Sequence, residues 1–241
     1  MFEGGGIKGI AYVGALQVLA ARGILGQVTA VAGTSAGAIT ACLVAAGYTP
    51  DELGTIMRAL DLTAFEDGGF EGPIRVVEKY GWYRGDAFLS WLRTRISGKL
   101  GSPDAIACRS RSSLLPYSRR GSVFVDGGAV WNYPIEIFDD ASPNPATLGL
   151  HLGLLGKKPP PPRPIHELIE YVKRLYDAIT RVQSDYFERS PADVARSVFI
   201  DDLGLSATDF AITEAQKDAL IANGVAATTA YLDSSAGPKP G

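Results

Sequence analysis

The architecture is set by one uncharged stretch near the start of the chain, Val28-Thr29-Ala30-Val31-Ala32-Gly33-Thr34-Ser35-Ala36-Gly37. Its first five residues form a short, β-branched and uncharged run, which is typical of an interior parallel strand. The residues that follow, 36–46, have a helical composition and end at Gly47. A serine between two glycines at a strand-to-helix turn is the pattern of a nucleophile elbow, because glycines permit a sharp turn and a close approach of the backbone. The stretch therefore predicts a strand, an exposed hydroxyl on Ser35 and a helix, in that order.

Two other glycine motifs accompany this elbow. Gly4-Gly5-Gly6-Ile7-Lys8-Gly9 lies upstream of it, and Asp126-Gly127-Gly128 follows the β-type run Val123-Phe124-Val125. Backbone N–H groups of a glycine turn can stabilise an oxyanion, and a carboxylate at a strand end can sit beside an elbow at the end of a neighbouring strand. A second Asp-Gly-Gly begins at Asp67, but it follows a helical segment, which favours a turn aspartate. The elbow and its two companion motifs together predict a hydrolytic site.

Alternating strand and helix patterns run from the first residues, which indicates an α/β sandwich with a mainly parallel sheet. Apolar spacing and stop signals predict helices over 10–22, 36–46 and 86–96, and a long one marked from Ile165 to Val182. Capping boxes at Thr49 and Thr213 predict two more helix starts, the second helix being stopped by Gly224. The expected strands, beyond residues 28–32, are 122–125 and a segment within 148–155.

These motifs resemble the patatin-like phospholipase family, whose pattern is a Gly-Gly-Gly-x-Lys/Arg-Gly turn, a Gly-x-Ser-x-Gly elbow and an Asp-Gly-Gly/Ala. The resemblance extends to residues 10–16 and 125–134 and runs more loosely to about Leu232. It implies a three-layer α/β/α sandwich of patatin type and an acyl hydrolase acting on glycerolipid esters, without metal or organic cofactor. It assigns a Ser35–Asp126 catalytic dyad, with a phospholipid or another acyl-ester lipid as substrate. The implied oxyanion hole consists of Gly4, Gly5, Gly6 and Ala36, and the supporting motif residues are Lys8, Gly9, Gly33, Gly37, Gly127 and Gly128.

Three other interpretations of these residues were weighed. The turn from Gly4 to Gly9 also fits the dinucleotide fingerprint, but that fingerprint needs an acidic residue about 20 positions later, and after Glu3 the next one is Asp51. His151 would complete a Ser…Asp…His triad in the order of ordinary α/β-hydrolases, although its flanking leucines indicate a strand interior. A third alternative is a lipid- or protein-binding module without turnover. Lys8 is either a contact for a phosphate headgroup or a solvated lysine at a helix start.

Composition bounds the remaining possibilities. With 241 residues and 46% apolar content the chain can bury a full core, and a net charge of −3 gives no general attraction to nucleic acid or anionic membrane. Cys42 and Cys108 match no metal-ligand spacing and no disulfide framework, which favours reduced structural thiols. The uncharged segment 23–50 is interrupted by glycines and hydroxyl residues, so a buried strand–turn–helix is expected there and not a membrane span. No secretory segment is visible, so a cytoplasmic or peripheral membrane protein is expected. A local basic cluster offers a contact for anionic lipid, with a solvated loop as the favoured alternative; it consists of Arg109, Arg111, Arg119 and Arg120.

The chain also departs from the family pattern. Family members place more residues between the helix ending near Ile96 and the Asp-Gly-Gly strand, whereas here that connection is 97–121, rich in Arg and Ser. The expected organisation is a core over 1–158, shortened at about 97–121, a helical part over 159–232 and a disordered tail over 233–241. A shortened connection would remove inner strands from the sheet and could thereby reduce catalytic activity.

Overall fold

The computed structural model describes residues 1–60, 86–101, 117–119, 122–124, 127–156, 164, 167–207 and 212–234. The eight helices in these ranges are α1 (Ala11–Ala21), α2 (Ala36–Ala45), α3 (Pro50–Arg58), α4 (Asp86–Leu100), α5 (Gly128–Trp131), α6 (Leu168–Phe187), α7 (Pro191–Ala195) and α8 (Glu214–Asp233). The strands are β1 (Tyr117–Arg119), β2 (Ser122–Phe124), β3 (Gly149–Leu152) and β4 (Ser197–Ile200). Short 3-10 helices cover Gly6–Ile10, Leu25–Gln27 and Ile135–Phe138. The chain is thus α/β, as expected.

A small parallel sheet carries the site. β3 pairs with β4 in parallel, from Gly149 opposite Ser197 to Leu152 opposite Ile200. Phe2 forms parallel bridges to Gly33 on one side and to Leu150 on the other. The order across this sheet is therefore the elbow segment, the first residues of the chain, β3 and β4.

The core lies where α1, α3 and α8 cover this sheet. α1 packs mainly on α8, and α8 in turn on β4. Tyr12 is fully buried, meets the Phe2 ring edge to face at 5.2 Å, and donates a hydrogen bond to the Glu3 carbonyl at 2.6 Å. The larger apolar side chains of this core include Ile10, Leu16, Leu43, Leu53, Leu150, Val198, Ile200 and Leu220.

Several helices predicted from local signals are confirmed. α1 and α2 lie where the apolar spacing placed them, and Gly47 after α2 has the positive φ of a helix stop. Both capping boxes form: the Thr49 hydroxyl accepts from the Glu52 N–H, and Thr213 does the same with Gln216. α4 runs four residues further than the apolar pattern, to Leu100, and of its predicted apolar face Ile96 is buried while Leu89 is half exposed.

The predicted strand over 28–32 is wrong. Leu25–Gln27 form a 3-10 turn, residues 28–30 are exposed, and pairing with Phe2 begins only at the Ala32 carbonyl, in a single bridge centred on Gly33. Among the described residues this segment has a neighbour on the Phe2 side alone, so it forms an edge where the composition predicted an interior strand. The 122–125 prediction is confirmed over Ser122–Phe124, but β2 pairs antiparallel with β1 and not with the parallel sheet.

Gly224 does not stop the last helix. α8 continues through it to Asp233. Gly224 instead allows α8 to pack closely on α1, since a Cβ there would overlap the Ala11 carbonyl. A Cβ on Gly14 of α1 would likewise overlap the Ile221 carbonyl of α8. The disordered tail predicted over 233–241 begins too early, since Asp233 is helical and pairs with Arg22 at 2.7 Å.

Several predictions fall outside the described residues or side chains. They concern Asp67, Cys108, Asp126, residues 159–162, residues 235–241 and the arginine cluster of Arg109, Arg111, Arg119 and Arg120.

Candidate active site

Ser35 occupies the strained position that an elbow requires. Its φ is +51° and ψ −123°, and it directly precedes α2. Ser35 is only 7% exposed, so the prediction of an exposed hydroxyl is wrong: the glycine turn and α2 cover this residue. A non-glycine residue in this region of φ and ψ costs roughly 1–3 kcal/mol and persists only where its surroundings fix it. Here the Gly37 N–H donates to the Thr34 carbonyl at 2.8 Å, while the Ser35 carbonyl accepts from Ala38 at 2.9 Å. The turn therefore holds Ser35 at the positive end of the α2 dipole.

The two glycines of the elbow are required by close backbone contacts. A Cβ at Gly37 would lie 2.5 Å from the carbonyl oxygens of Phe2 and Glu3, and a Cβ at Gly33 would overlap the backbone of Gly37. The first turn of α2 thus crosses directly over the first residues of the chain, where no side chain fits.

The glycine turn lies beside the serine. A Cβ built on Gly4 would be 3.3 Å from the Ser35 Cβ, and one on Gly9 would be 3.3 Å from the Ala36 Cβ. Gly6 has a φ of +57°, and a Cβ there would overlap the Ala207 carbonyl. The sequence motifs 4–9 and 33–37 therefore form one continuous feature of the molecule.

Backbone donors in this region fall into two groups. The Gly4 N–H is already used, since it donates to the Asn132 carbonyl at 3.1 Å. Within the described part of the chain, the N–H groups of Gly5, Gly6 and Ala36 donate to no backbone carbonyl. Three of the four predicted oxyanion donors are therefore available, whereas Gly4 contributes by letting the backbone pass Ser35 and Asn132 closely.

The Asp-Gly-Gly motif reaches the elbow through Gly127. A Cβ on Gly127 would be 2.9 Å from the Thr34 Cγ2, and the Thr34 hydroxyl donates to the Trp131 carbonyl at 3.3 Å. Asp126 itself lies outside the described residues. Gly128 is the first residue of α5, and its carbonyl accepts a hydrogen bond from the Gln183 side-chain amide at 3.1 Å.

Lys8 is neither solvated nor aimed at solvent. Its ammonium group donates to the Asp202 carboxylate at 2.9 Å, and the two side chains are only 12% and 8% exposed. Asp202 follows β4, so this ion pair ties the glycine turn to the far edge of the sheet.

Glu3 is a buried acid that sequence reasoning missed. Its carboxylate accepts hydrogen bonds from the Leu152 N–H at 2.6 Å and from the Asn132 amide at 3.0 Å. Burial raises the pKa of Glu3, while the nearby His151, the Leu152 N–H, Lys8 and the Asn132 amide act to lower it. An acidic residue just before a glycine turn, with the apolar residue Phe2 ahead of it, was the available signal.

His151 belongs to this buried group. Its Nε2 lies 3.6 Å from Glu3 Oε1, and its ring stacks on Phe187 and meets Tyr133 edge to face. Neither ring nitrogen has a hydrogen-bond partner among the residues that the structure describes. These contacts are those of a packed side chain, and they pair His151 with Glu3 instead of Ser35.

None of the helices in the described ranges combines the length and the apolar character needed to span a bilayer.

Comparison with known proteins agrees with the sequence motifs. The model of the patatin-like phospholipase family matches residues 1–114, the part that holds the glycine turn and the elbow. The uncharacterized protein R571 of Acanthamoeba polyphaga mimivirus is 29% identical in an alignment of 178 positions, gaps included, that covers 57% of this chain and 60% of that protein. The uncharacterized protein YqhO of Bacillus subtilis (strain 168) is 27% identical over 96% of this chain and 97% of its own length. That alignment runs over 286 residues, more than the 241 of this chain, so the Bacillus relative carries residues that have no counterpart here.

Proposed function

Because residues 1–114 match the patatin-like phospholipase family, we propose that this protein is a lipid acyl hydrolase. It would cleave glycerolipid esters through an acyl-enzyme on Ser35. The family implies hydrolase activity on acyl esters, and the local geometry of the chain supports a particular mechanism for it. The proposed substrate is a phospholipid or another acyl-ester lipid, met at a membrane surface, and the reaction needs no cofactor.

The strained backbone of Ser35 carries this proposal. A φ of +51° is unfavourable for a residue other than glycine, and it occurs at the start of α2, where the Ser35 Cβ lies beside the glycine turn. Strain of this kind is concentrated at active sites, where the surrounding structure fixes it.

In the proposed reaction the Ser35 oxygen attacks the carbonyl carbon of the ester, and its proton passes to the Asp126 carboxylate. The negative charge on the acyl oxygen is stabilised by the N–H groups of Gly5, Gly6 and Ala36. The ester bond breaks, and the departing alcohol takes the proton from Asp126. Water then attacks the acyl-enzyme, gives its proton to Asp126 and releases the fatty acid, and the proton returns to Ser35.

The assignment of Asp126 as the base is supported by its chain neighbour. Gly127 packs against Thr34, the residue before Ser35, so the Asp-Gly-Gly motif meets the elbow. We further infer that the small parallel sheet is the reduced centre of a patatin-type three-layer sandwich, which the greater length of the Bacillus alignment supports.

The decisive experiment is labelling with a fluorophosphonate, followed by mass-spectrometric mapping of the modified residue. We expect modification of Ser35 alone and no modification of the Ser35→Ala variant. The same two proteins are assayed with a chromogenic acyl ester, which only the parent should hydrolyse. A folded parent that neither labels nor turns over ester would contradict the proposal and favour a binding module.

A further inference from the structure

Asn132 lies where the glycine turn and the Asp-Gly-Gly motif meet. Its side-chain Nδ2 donates to the Gly4 carbonyl and to Glu3 Oε1, both at 3.0 Å. The backbone carbonyl of Asn132 accepts from the Gly4 N–H at 3.1 Å. Gly4 and Asn132 are therefore joined by two reciprocal hydrogen bonds. Asn132 is 5% exposed, so neither bond is in competition with bulk water.

These bonds fix the direction of a peptide unit. The Gly4 carbonyl and the Gly5 N–H belong to the same peptide, and no described peptide bond is cis. In a trans peptide the N–H points opposite to the carbonyl. Because Asn132 holds the carbonyl, the Gly5 N–H must point away from Asn132. Glycine at positions 4, 5 and 6 leaves this peptide free to rotate unless a side chain holds it.

Glu3 holds the side-chain amide of Asn132, and Gln183 holds its backbone. Glu3 accepts from its Nδ2, which sets which end of the amide faces Gly4. The backbone N–H of Asn132 donates to the Gln183 side chain at 2.6 Å, and that side chain donates to the Gly128 carbonyl of α5. One hydrogen-bond network thus connects the glycine turn, the segment after Asp126 and α6.

We propose that Asn132 is a positioning residue: by holding the Gly4 carbonyl, it aims the Gly5 N–H at the acyl oxygen of the substrate. This inference rests on the proposed function of Ser35. It assigns Asn132 no contact with substrate, and it predicts that loss of the side-chain donor acts on the transition state and not on ester binding.

The test replaces Asn132 by aspartate, which keeps the shape but removes the donor. We expect kcat for a soluble ester to fall by about a hundred- to thousandfold, as on loss of one oxyanion donor, with KM unchanged. The matched control is Asn144→Asp, since Asn144 also donates to a backbone carbonyl, that of Phe138 at 3.2 Å, but outside the glycine turn. This control should keep the parent kcat.

A pH profile separates positioning from general damage. Only a protonated aspartic acid can donate to the Gly4 carbonyl, so the ratio of variant to parent kcat should rise as the pH falls. The titratable groups around this amide are Glu3, His151, Lys8, Tyr12 and Tyr133, and all are present in both proteins. A variant that loses kcat and melting temperature together, without recovery at low pH, would overturn the inference.

Asn132→Ala is the second variant, for the case in which two adjacent carboxyls prevent folding. It should lose kcat to a similar extent, without recovery at low pH. Parent-like kcat in either folded variant would overturn the inference while the proposed function stands. A parent that neither turns over ester nor reacts with fluorophosphonate would overturn the proposed function, and the role of Asn132 with it.

Discussion

At the scale of single residues, the site is defined by backbone contacts more than by side-chain pairs. Ser35 is held by the hydrogen bonds of its own turn and by Gly37, which crosses the carbonyls of Phe2 and Glu3. Glycine motifs at 4–9 and 33–37 therefore reveal the site in the sequence, because most of their glycines leave no room for a Cβ; these are Gly4, Gly5, Gly6, Gly33 and Gly37. Glu3 and Asn132 were not found in this way, since their partners lie more than a hundred residues away and no local pattern records them.

The base is tested by substituting the two aspartates that precede glycine pairs. Asp126→Asn should abolish ester hydrolysis and leave the far-UV circular dichroism unchanged, because an amide cannot accept the proton of Ser35. Asp67→Asn is the matched control and should retain parent activity. An inactive Asp67 variant beside an active Asp126 variant would show that the dyad is assigned to the wrong residue.

His151 can be replaced by a ring of similar size. His151→Phe should keep turnover within about tenfold of the parent, because the imidazole packs against Tyr133 and Phe187 and neither nitrogen has a hydrogen-bond partner in the described part of the chain. Loss of the histidine from a working triad costs several orders of magnitude instead. The specificity constant for a soluble ester, measured beside the melting temperature, decides between them. A folded variant with a thousandfold loss would establish the triad.

At the scale of elements, predictions succeeded where the deciding contacts are local and failed where those contacts come from distant parts of the chain. The capping boxes at Thr49 and Thr213 formed because their hydrogen bonds lie within four residues. β4 and α7 were not predicted, since their residues carry no strong periodic pattern and the strand exists only by pairing with β3. The 28–32 segment had strand composition, but a strand also needs neighbours, which composition does not report. Gly224 was misread for the same reason: its partner is the Ala11 carbonyl on another helix.

The crossing of α1 and α8 makes a prediction about this glycine. Alanine normally stabilises a helix interior by roughly 0.5–1 kcal/mol relative to glycine. Gly224→Ala should instead lower the free energy of unfolding by about 1–3 kcal/mol, because the new methyl group overlaps the Ala11 carbonyl. Gly98→Ala on α4 is the matched control, since a Cβ there meets nothing within 4 Å. Chemical denaturation of both variants checks this, and a stabilised Gly224 variant would contradict the described packing.

At the scale of the whole molecule, residues far apart in the chain are joined around one small sheet. The glycine turn meets the end of β4 through the Lys8–Asp202 pair, and the end of α1 meets the end of α8 through the Arg22–Asp233 pair. The first pair is nearly buried, whereas the side chains of the second are 49% and 55% exposed. The two connections should therefore differ greatly in energy.

Removing one charge from each pair measures this difference. Asp202→Asn leaves Lys8 charged in a nearly buried position and should cost about 3–5 kcal/mol of unfolding free energy, much of it recovered by adding Lys8→Met. Asp233→Asn breaks only an exposed pair and should cost at most about 1 kcal/mol. The parent and the three variants, Asp202→Asn, Asp202→Asn with Lys8→Met, and Asp233→Asn, are compared by urea denaturation at one pH. Equal costs for the two single substitutions would show that the Lys8 pair is not buried in solution.

The bridging position of Phe2 has a consequence for how the protein is made. Phe2 bonds both to the elbow segment and to β3, and β3 pairs with β4, so the support of the glycine turn includes strands that lie far downstream in the chain. Contacts of such sequence separation form slowly, because the intervening chain must first be ordered. A nascent chain that already displays the glycine turn and the serine therefore lacks the support of β3 and β4 until about residue 200 has been synthesised. Under the proposed function, Ser35 would therefore become reactive only after β3 and β4 have folded.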